Sequence, residues 1–197
     1  MGSGSARRRL ATVARVTTTY FTASSVDGFI ADPENSLSWL LTRDVDVSGP
    51  MGYERFLKES VGAVVMGSTT YLWLLEHELG ADPSRSWPYD LPTWVFSTRQ
   101  LPVVQGDLRF VQGDVAAVHA EIIAAAGGLG VWVVGGGDLA GQFADAGLLD
   151  ELWVQYAPVA LGAGAQLLPR RVELRLEEVA RNRDFACARY TVVRVSS

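Results

Sequence analysis

Three consecutive glycines connect a short apolar run to a helical pattern. Residues 131–134 form the run, Gly135, Gly136 and Gly137 follow it, and residues 138–143 have the amphipathic spacing of a helix. Glycines at a helix start let backbone N–H groups approach a phosphate closely, because no Cβ intervenes. The same residues also suit a tight turn with close helix–strand packing. Phosphate contact and a packing turn are therefore both open.

The glycines also satisfy a dinucleotide-binding spacing, G-x-G-x-x-A, through Gly135, Gly137 and Ala140. That motif should open a βαβ unit and be followed about 20 positions later by an acidic residue that holds the ribose. Here it lies in the last third of the chain, and the apolar residues 158–161 stand at that distance. The spacing therefore does not predict a doubly wound fold.

Two further strand ends carry small, hydroxylated or cationic residues. They are Gly67, Ser68, Thr69 and Thr70 at the first, and Ser97, Thr98 and Arg99 at the second. The carboxyl ends of parallel strands share one edge of a sheet, where ligands bind. Together with the three glycines, these residues predict a dinucleotide cleft, although each alone also suits a helix cap or a turn.

The elements that must position these residues alternate between strand and helix. Apolar and β-branched runs predict strands at residues 16–25, 63–66, 93–96, 109–112 and 131–134. Apolar spacing predicts helices at residues 50–59, 69–79 and 115–126. Long strands follow at residues 151–161, 172–180 and 186–195. This order predicts an α/β fold with a mostly parallel central sheet and an antiparallel C-terminal hairpin.

Length and composition limit the classes of protein. With 197 residues, 48% hydrophobic and 20% charged, we expect one globular domain at residues 16–197 after a flexible tail at residues 1–15. A net charge of −5 argues against nucleic-acid binding. One cysteine and two distant histidines predict neither an internal disulfide nor a metal site. Since no apolar stretch reaches the roughly 20 residues of a membrane span, we expect a cytoplasmic protein without membrane partners.

Five sequence blocks, in order, resemble those of the dihydrofolate reductase-like family. They are residues 25–31 (SVDGFIA), 65–71 (VMGSTTY), 95–97 (VFS), 133–137 (VVGGG), and 150–152 (DEL) with 158–162 (PVALG). Within that family, the blocks resemble in particular the C-terminal reductase domain of bifunctional riboflavin-biosynthesis deaminase/reductases. The resemblance implies a three-layer dihydrofolate reductase-like fold and a homodimer.

The resemblance also implies NADPH as the cofactor and assigns residues to it. Gly135, Gly136, Gly137, Asp138 and Leu139 would hold the pyrophosphate. The junctions at residues 67–70 and 97–99 would contact the adenosine phosphate end. Ala23, Ile30 and Ala31 would line the nicotinamide pocket.

Two positions depart from the family pattern. Relatives usually have arginine where this chain has Ser68, and Arg99 could supply the missing charge to the 2′-phosphate. The riboflavin enzymes usually have lysine at the position of Phe29, which argues against the pyrimidine substrate of that pathway.

Three residues are candidates for the catalytic site of a reduction, and two of them, Asp44 and Tyr156, could donate the proton. Trp39 and Asp44 stand five positions apart, similar to the tryptophan and catalytic carboxylate of dihydrofolate reductase itself. Tyr156, on the strand after the glycine-rich helix, is another. Asp44 also suits a solvated loop, and Tyr156 an inward core position.

These observations predict an oxidoreductase that transfers hydride from NADPH to a small planar C=N, C=C or C=O substrate. One alternative is a non-catalytic nucleotide- or small-molecule-binding protein of the same fold. Another is a true dihydrofolate reductase.

Overall fold

The computed structural model describes residues 15–80 and 87–194. Its strands are β1 (Thr18–Ser25), β2 (Phe29–Ala31), β3 (Val61–Gly67), β4 (Thr93–Phe96), β5 (Leu108–Val111), β6 (Gly130–Gly135), β7 (Glu151–Ala157), β8 (Ala165–Gln166), β9 (Leu174–Asn182) and β10 (Phe185–Val192). Its helices are α1 (Ser38–Leu41), α2 (Tyr53–Ser60), α3 (Ser68–Leu74), α4 (Val115–Ala125) and α5 (Gly137–Asp145), with a π-helical turn, Leu75–Leu79, directly after α3.

Eight of the strands form one sheet in the order β5-β4-β3-β6-β1-β7-β10-β9. The pairs from β5 to β7 are parallel, whereas β10 pairs antiparallel with both β7 and β9. A separate two-stranded sheet joins β2 to β8. The predicted parallel sheet with an antiparallel C-terminal hairpin is therefore confirmed.

Helices cover both faces of the large sheet. One apolar cluster contains Ile122 of α4 and Phe143 of α5, and a second contains Phe56 of α2 and Tyr71 of α3. Neighbouring residues of β3 belong to different clusters, because side chains alternate across a strand. Since both faces of the parallel strands are buried, β3 reads as a continuous apolar run. The predicted three-layer fold is confirmed.

Several predicted boundaries differ from the structure. Helix α2 begins only after Gly52, because Met51 has a φ of 52°. The helix predicted at residues 69–79 is α-helical only to Leu74 and continues as the π-helical turn. Strand β7 stops before Pro158, which has no N–H for the ladder. The short elements α1 and β8 were not predicted.

Parts of three predicted segments lie outside the described residues, namely residues 1–14 of the tail, 83–86 of the irregular loop predicted at residues 83–92, and residue 195 of the last predicted strand. Arg15, also assigned to the tail, forms an ion pair with Asp150 at 2.9 Å. None of the helices within the described ranges is long and apolar enough to cross a bilayer. In the same ranges, no group of His, Cys, Asp or Glu side chains could hold a metal ion.

Candidate functional site

The donor-rich junctions meet at one edge of the sheet. Strand β3 pairs with β6 on one side, with Met66 opposite Gly135, and with β4 on the other, with Gly67 opposite Phe96. A Cβ added to Gly67 would lie 3.8 Å from the backbone nitrogen of Gly136. Two helix starts, separated by about 70 residues in sequence, therefore lie side by side at this edge.

Helix α5 presents unused N–H groups at this edge. Gly136 is its N-cap and no side chain caps the helix. Ala140 N donates to Gly136 O at 3.1 Å as the first helical bond, so the N–H groups of Gly137, Asp138 and Leu139 have no partner inside the helix. An added Cβ at Gly136 would meet only Ile30 Cδ1, at 3.9 Å. The space beside Gly136 is thus open to a ligand. The Gly135–Gly136 peptide bond is cis.

Helix α3 begins in the same way and has a cation beside it. Gly67 is its N-cap, again without a side-chain cap. Arg99 Nη2 donates to Ser68 Oγ at 2.6 Å, and Arg99 N donates to Ser97 Oγ at 2.9 Å. The guanidinium therefore lies against the position at which relatives were expected to carry arginine.

The Asp138 carboxylate is engaged with neighbouring side chains in α5's first turn. It accepts from Gln142 Nε2 at 2.9 Å and pairs with Arg170 at 2.8 Å. These two contacts lower the pKa of Asp138, the Gln142 hydrogen bond most. Because Arg170 partly neutralises this negative charge, the backbone N–H of Asp138 can contact an anion with less repulsion.

The edge opens into a cleft of about 1740 Å³. This exceeds the roughly 300–1,000 Å³ of a pocket for one small ligand. Most of the residues predicted to bind the cofactor line it: Ala23, Ile30, Ala31, Gly67, Ser68, Thr69, Thr70, Gly135, Gly136, Gly137, Asp138 and Leu139. Ser97, Thr98 and Arg99 are outside its lining, although Arg99 reaches Ser68. The volume has room for a dinucleotide and a second molecule.

Another part of the cleft has an aromatic wall, formed by Tyr53, Trp73, Tyr89 and Trp132. The rings of Tyr53 and Tyr89 lie 5.5 and 5.7 Å from that of Trp132, and Trp73 stacks on His77 at 4.1 Å. Trp132 precedes Gly135 by three residues on β6, about 10 Å along a strand. Burial raises the pKa of the phenol groups of Tyr53 and Tyr89, so both stay protonated at neutral pH. The wall suits a planar ligand beside the glycines.

None of the three candidate catalytic residues lines the cleft. Asp44 is exposed on a loop and pairs with Arg183 at 3.3 Å. Trp39 is 9% exposed and packs in a small apolar cluster with Met51 and Phe185. The predicted pair of tryptophan and carboxylate therefore lies outside the cleft lining.

Tyr156 lies on the face of β7 that points away from the cleft. It packs with Leu152 and Val154 against the core beneath α4 and α5, and burial raises its pKa. The cleft instead receives Gln155, the preceding residue. Because side chains alternate along a strand, the buried Leu152 and Val154 were the signal that Tyr156 points away from the cleft. From the sequence, Tyr89 is expected in a loop that could cover a planar ligand, and it does line the cleft, whereas Gln155 and Tyr53 were missed.

The sheet order and the cleft define a dihydrofolate reductase-like domain. The chain belongs to the family of RibD C-terminal domains, which its residues 16–183 match. It is 29% identical over 164 residues to the uncharacterized protein YwjB of Bacillus subtilis, covering 81% of this chain and 88% of YwjB. The family assignment agrees with the resemblance in the five sequence blocks.

Solved structures show the same fold. A protein from Shewanella sp. PV-4, provisionally assigned to riboflavin biosynthesis, superposes with a TM-score of 0.73 at 25% identity, over 91% of this chain and 100% of that protein. The Thermotoga maritima diaminohydroxyphosphoribosylaminopyrimidine deaminase/5-amino-6-(5-phosphoribosylamino)uracil reductase gives 0.58 at 16% identity, over 91% of this chain and 57% of the enzyme. A pyrimidine reductase-like protein from Corynebacterium diphtheriae gives 0.58 at 15%, over 95% and 96% of the two chains.

Proposed function

We propose that the protein is an NADPH-dependent reductase that transfers hydride to a small planar C=N, C=C or C=O acceptor. The observation that carries this proposal is the side-by-side position of the two uncapped helix starts, at Gly67 and Gly136, in the lining of one cleft. Two adjacent helix N-termini attract a diphosphate through their N–H groups and dipoles. Family membership in the RibD C-terminal domains supports the reductase class.

The residues present fit the cofactor. Backbone N–H groups of α3 and α5 would hold the diphosphate, the open space at Gly136 would admit it, and Arg99 would face the 2′-phosphate. Ala23 and Ile30, both in the cleft lining, would contact the nicotinamide. When bound, the cofactor supplies the hydride.

The protein's own side chains orient the acceptor. The aromatic wall would stack on a planar ring. The hydroxyls of Tyr53 and Tyr89 hydrogen-bond to each other, so one of their two protons is left to donate to the ring or to a water. Because Asp44, Trp39 and Tyr156 are outside the cleft lining, we assign the proton that accompanies the hydride to water from the open cleft.

Gly136→Val tests the diphosphate contact. Its added methyl groups would fill space beside Ile30 that the diphosphate needs, so we expect NADPH to bind at least about tenfold more weakly. NADPH fluorescence and calorimetry measure the affinity. Ala120→Leu, an exposed change on α4 outside the cleft lining, is the control. Wild-type affinity in Gly136→Val would remove the contact, and no response of the wild type at millimolar NADPH would refute the proposal.

A second candidate function is a binding protein that holds the nucleotide without turnover. The placement of all three candidate catalytic residues outside the cleft lining favours it. NADPH oxidation is measured with a panel of carbonyl, imine and enone acceptors that includes dihydrofolate. Cofactor binding without oxidation of any acceptor supports this candidate, and turnover of one acceptor excludes it. Turnover of dihydrofolate, with methotrexate binding, would identify a true dihydrofolate reductase.

We further propose a homodimer, which the family resemblance implies. The edge strand β9 exposes Leu176 (55%) and Val179 (66%), an apolar surface that a second copy could cover. Light scattering should give twice the mass of one chain, and a monomer at micromolar concentration would contradict this proposal.

A further inference from the structure

Gln155 occupies a central position in the cleft. It lies on β7 directly opposite Ala23 of β1, which the sequence resemblance places at the nicotinamide pocket. Residues paired in register on neighbouring strands point to the same face, with backbones about 4.8 Å apart. The Gln155 side chain lines the cleft and is only 9% exposed. A buried amide thus stands next to the predicted position of hydride transfer.

One end of this amide is fixed by the protein. Gln155 Nε2 donates to the backbone carbonyl of Met51 at 3.0 Å. A carbonyl only accepts hydrogen bonds, so the NH₂ group must face Met51 and the Oε1 atom must face the other way. The Met51 contact therefore determines which end of the amide a ligand would meet.

The other end is available to a ligand. Within the described residues, the buried side-chain atoms that lack a hydrogen-bond partner are Tyr20 Oη, Trp39 Nε1 and Trp94 Nε1. Gln155 Oε1 is not among them, and no described residue donates to it. Since Gln155 lines the cleft, the access of Oε1 to solvent must be through the cleft.

A second buried amide nearby shows what a purely structural role looks like. Asn182, 1% exposed, accepts from Asp46 N at 2.9 Å and donates to Asp46 O at 2.8 Å and Pro50 O at 3.1 Å. Both ends of this amide hold the loop before α2. Asn182 is also absent from the cleft lining. The oxygen of Gln155, by contrast, has no such structural use.

We propose that Gln155 Oε1 accepts a hydrogen bond from a ring N–H of the hydride acceptor. The acceptor then carries an N–H group, of the kind found in a lactam ring, beside the bond that is reduced. A ligand that presents no donor would leave a largely desolvated carbonyl unpaired, which lowers its affinity. This inference rests on the proposed reductase function, because it takes the bound ligand to be the molecule that is reduced. Recognition of the N–H group by Gln155 does not itself depend on reduction.

Matched ligand pairs test the inference. The probes are 2-pyridone, 2-quinolone and uracil, each against its fully N-methylated analogue, with binding measured by NMR titration with and without saturating NADP⁺. We expect the N–H member of at least one pair to bind about tenfold more tightly to the wild type. In Gln155→Met, which keeps the length of the side chain but has no acceptor oxygen, the two members should bind equally.

Asn182→Ala is the matched control, because it loosens the same loop without changing the cleft lining. It should keep the N–H preference. A wild type without preference in any pair, or a preference that persists in Gln155→Met, would overturn the inference. If Gln155→Met does not fold, a structure of the wild type with the tightest N–H probe decides: the ring nitrogen should lie within hydrogen-bond distance of Oε1, and any other pose rejects the inference.

The two proposals fail separately. Binding of NADP⁺ without an N–H preference removes the role of Gln155 and leaves the reductase proposal. An N–H preference in a protein that binds neither NADP⁺ nor NADPH supports the role of Gln155 and removes the reductase proposal.

Discussion

The glycine-rich rim and the aromatic wall of the cleft are built by different means. At the rim, backbone N–H groups of α3 and α5 face the cleft, and the main requirement on the side chains is that they leave space for a ligand. At the wall, side chains from α2, the loop before β4 and β6 converge. A backbone site is encoded locally, by glycines at a strand–helix junction. A side-chain site depends on which distant elements the topology brings together.

Neighbouring glycines at the rim differ in a way that sharpens this contrast. The space beside Gly136 is open, whereas a Cβ at Gly137 would collide with the backbone carbonyls of Gln166 and Leu167. Gly136 is thus required by the ligand that we propose, and Gly137 by the packing of α5 against the segment that contains β8. A substitution at Gly136 should weaken cofactor binding and leave stability unchanged, whereas a substitution at Gly137 should lower stability.

The largest effect is expected for Gly137→Ala. Its Cβ meets backbone oxygen atoms, which cannot rotate away as a side chain can, so α5 or the strand must shift. We expect a loss of about 3 kcal/mol in the free energy of unfolding, measured by urea denaturation. Gly136→Ala is the matched control and should retain stability within about 0.5 kcal/mol. Equal losses in the two variants would show that the rim does not separate ligand contact from packing.

Arg99→Ala should have an intermediate effect, on cofactor choice. Arg99 is a side-chain cation at a rim built mainly from backbone, and it contacts Ser68 at 2.6 Å. Hydrogen bonds to charged groups contribute roughly 1.5–3 kcal/mol, and the low end suits this exposed arginine. We therefore expect about tenfold weaker binding of NADPH with little change for NADH.

Calorimetric titration with both nucleotides measures the change, and Arg55→Ala is the control. Arg55 is an exposed arginine on α2 that pairs with Glu59, and it is outside the cleft lining. An equal loss of affinity for NADPH and NADH in Arg99→Ala would contradict a contact with the 2′-phosphate.

The same contrast explains what could be predicted from the sequence. The strand–glycine–helix junctions and the parallel order of the strands follow from local patterns, which is why the fold and the position of the rim were predicted. Tyr156 and Gln155 differ only in which face of β7 they occupy, and one error in that alternation moves a side chain to the other face of the sheet. Asp44 pairs with Arg183, which is 139 positions away in sequence, and no local pattern reveals that contact.

The smallest effect is expected at Asp27, in the turn that precedes β2 of the cleft lining. Its carboxylate accepts from Ser25 Oγ at 2.6 Å, Gly162 N at 2.7 Å and Leu161 N at 3.0 Å, thereby tying the turn before β2 to the loop after β7. These contacts, that of Ser25 first, lower the pKa of Asp27 from 3.8 to about 2.

A depressed pKa in the folded state means that the ionised carboxylate stabilises the fold. This contribution is fully present above the unfolded value of 3.8 and is lost as the pH falls towards 2. It is small because Asp27 is exposed to solvent. The urea midpoint of the wild type should therefore fall more steeply between pH 5 and pH 2 than that of Asp27→Asn. Identical slopes would show that Asp27 does not hold the Ile30 side of the cleft through its charge, leaving the backbone turn at Gly28 to do so.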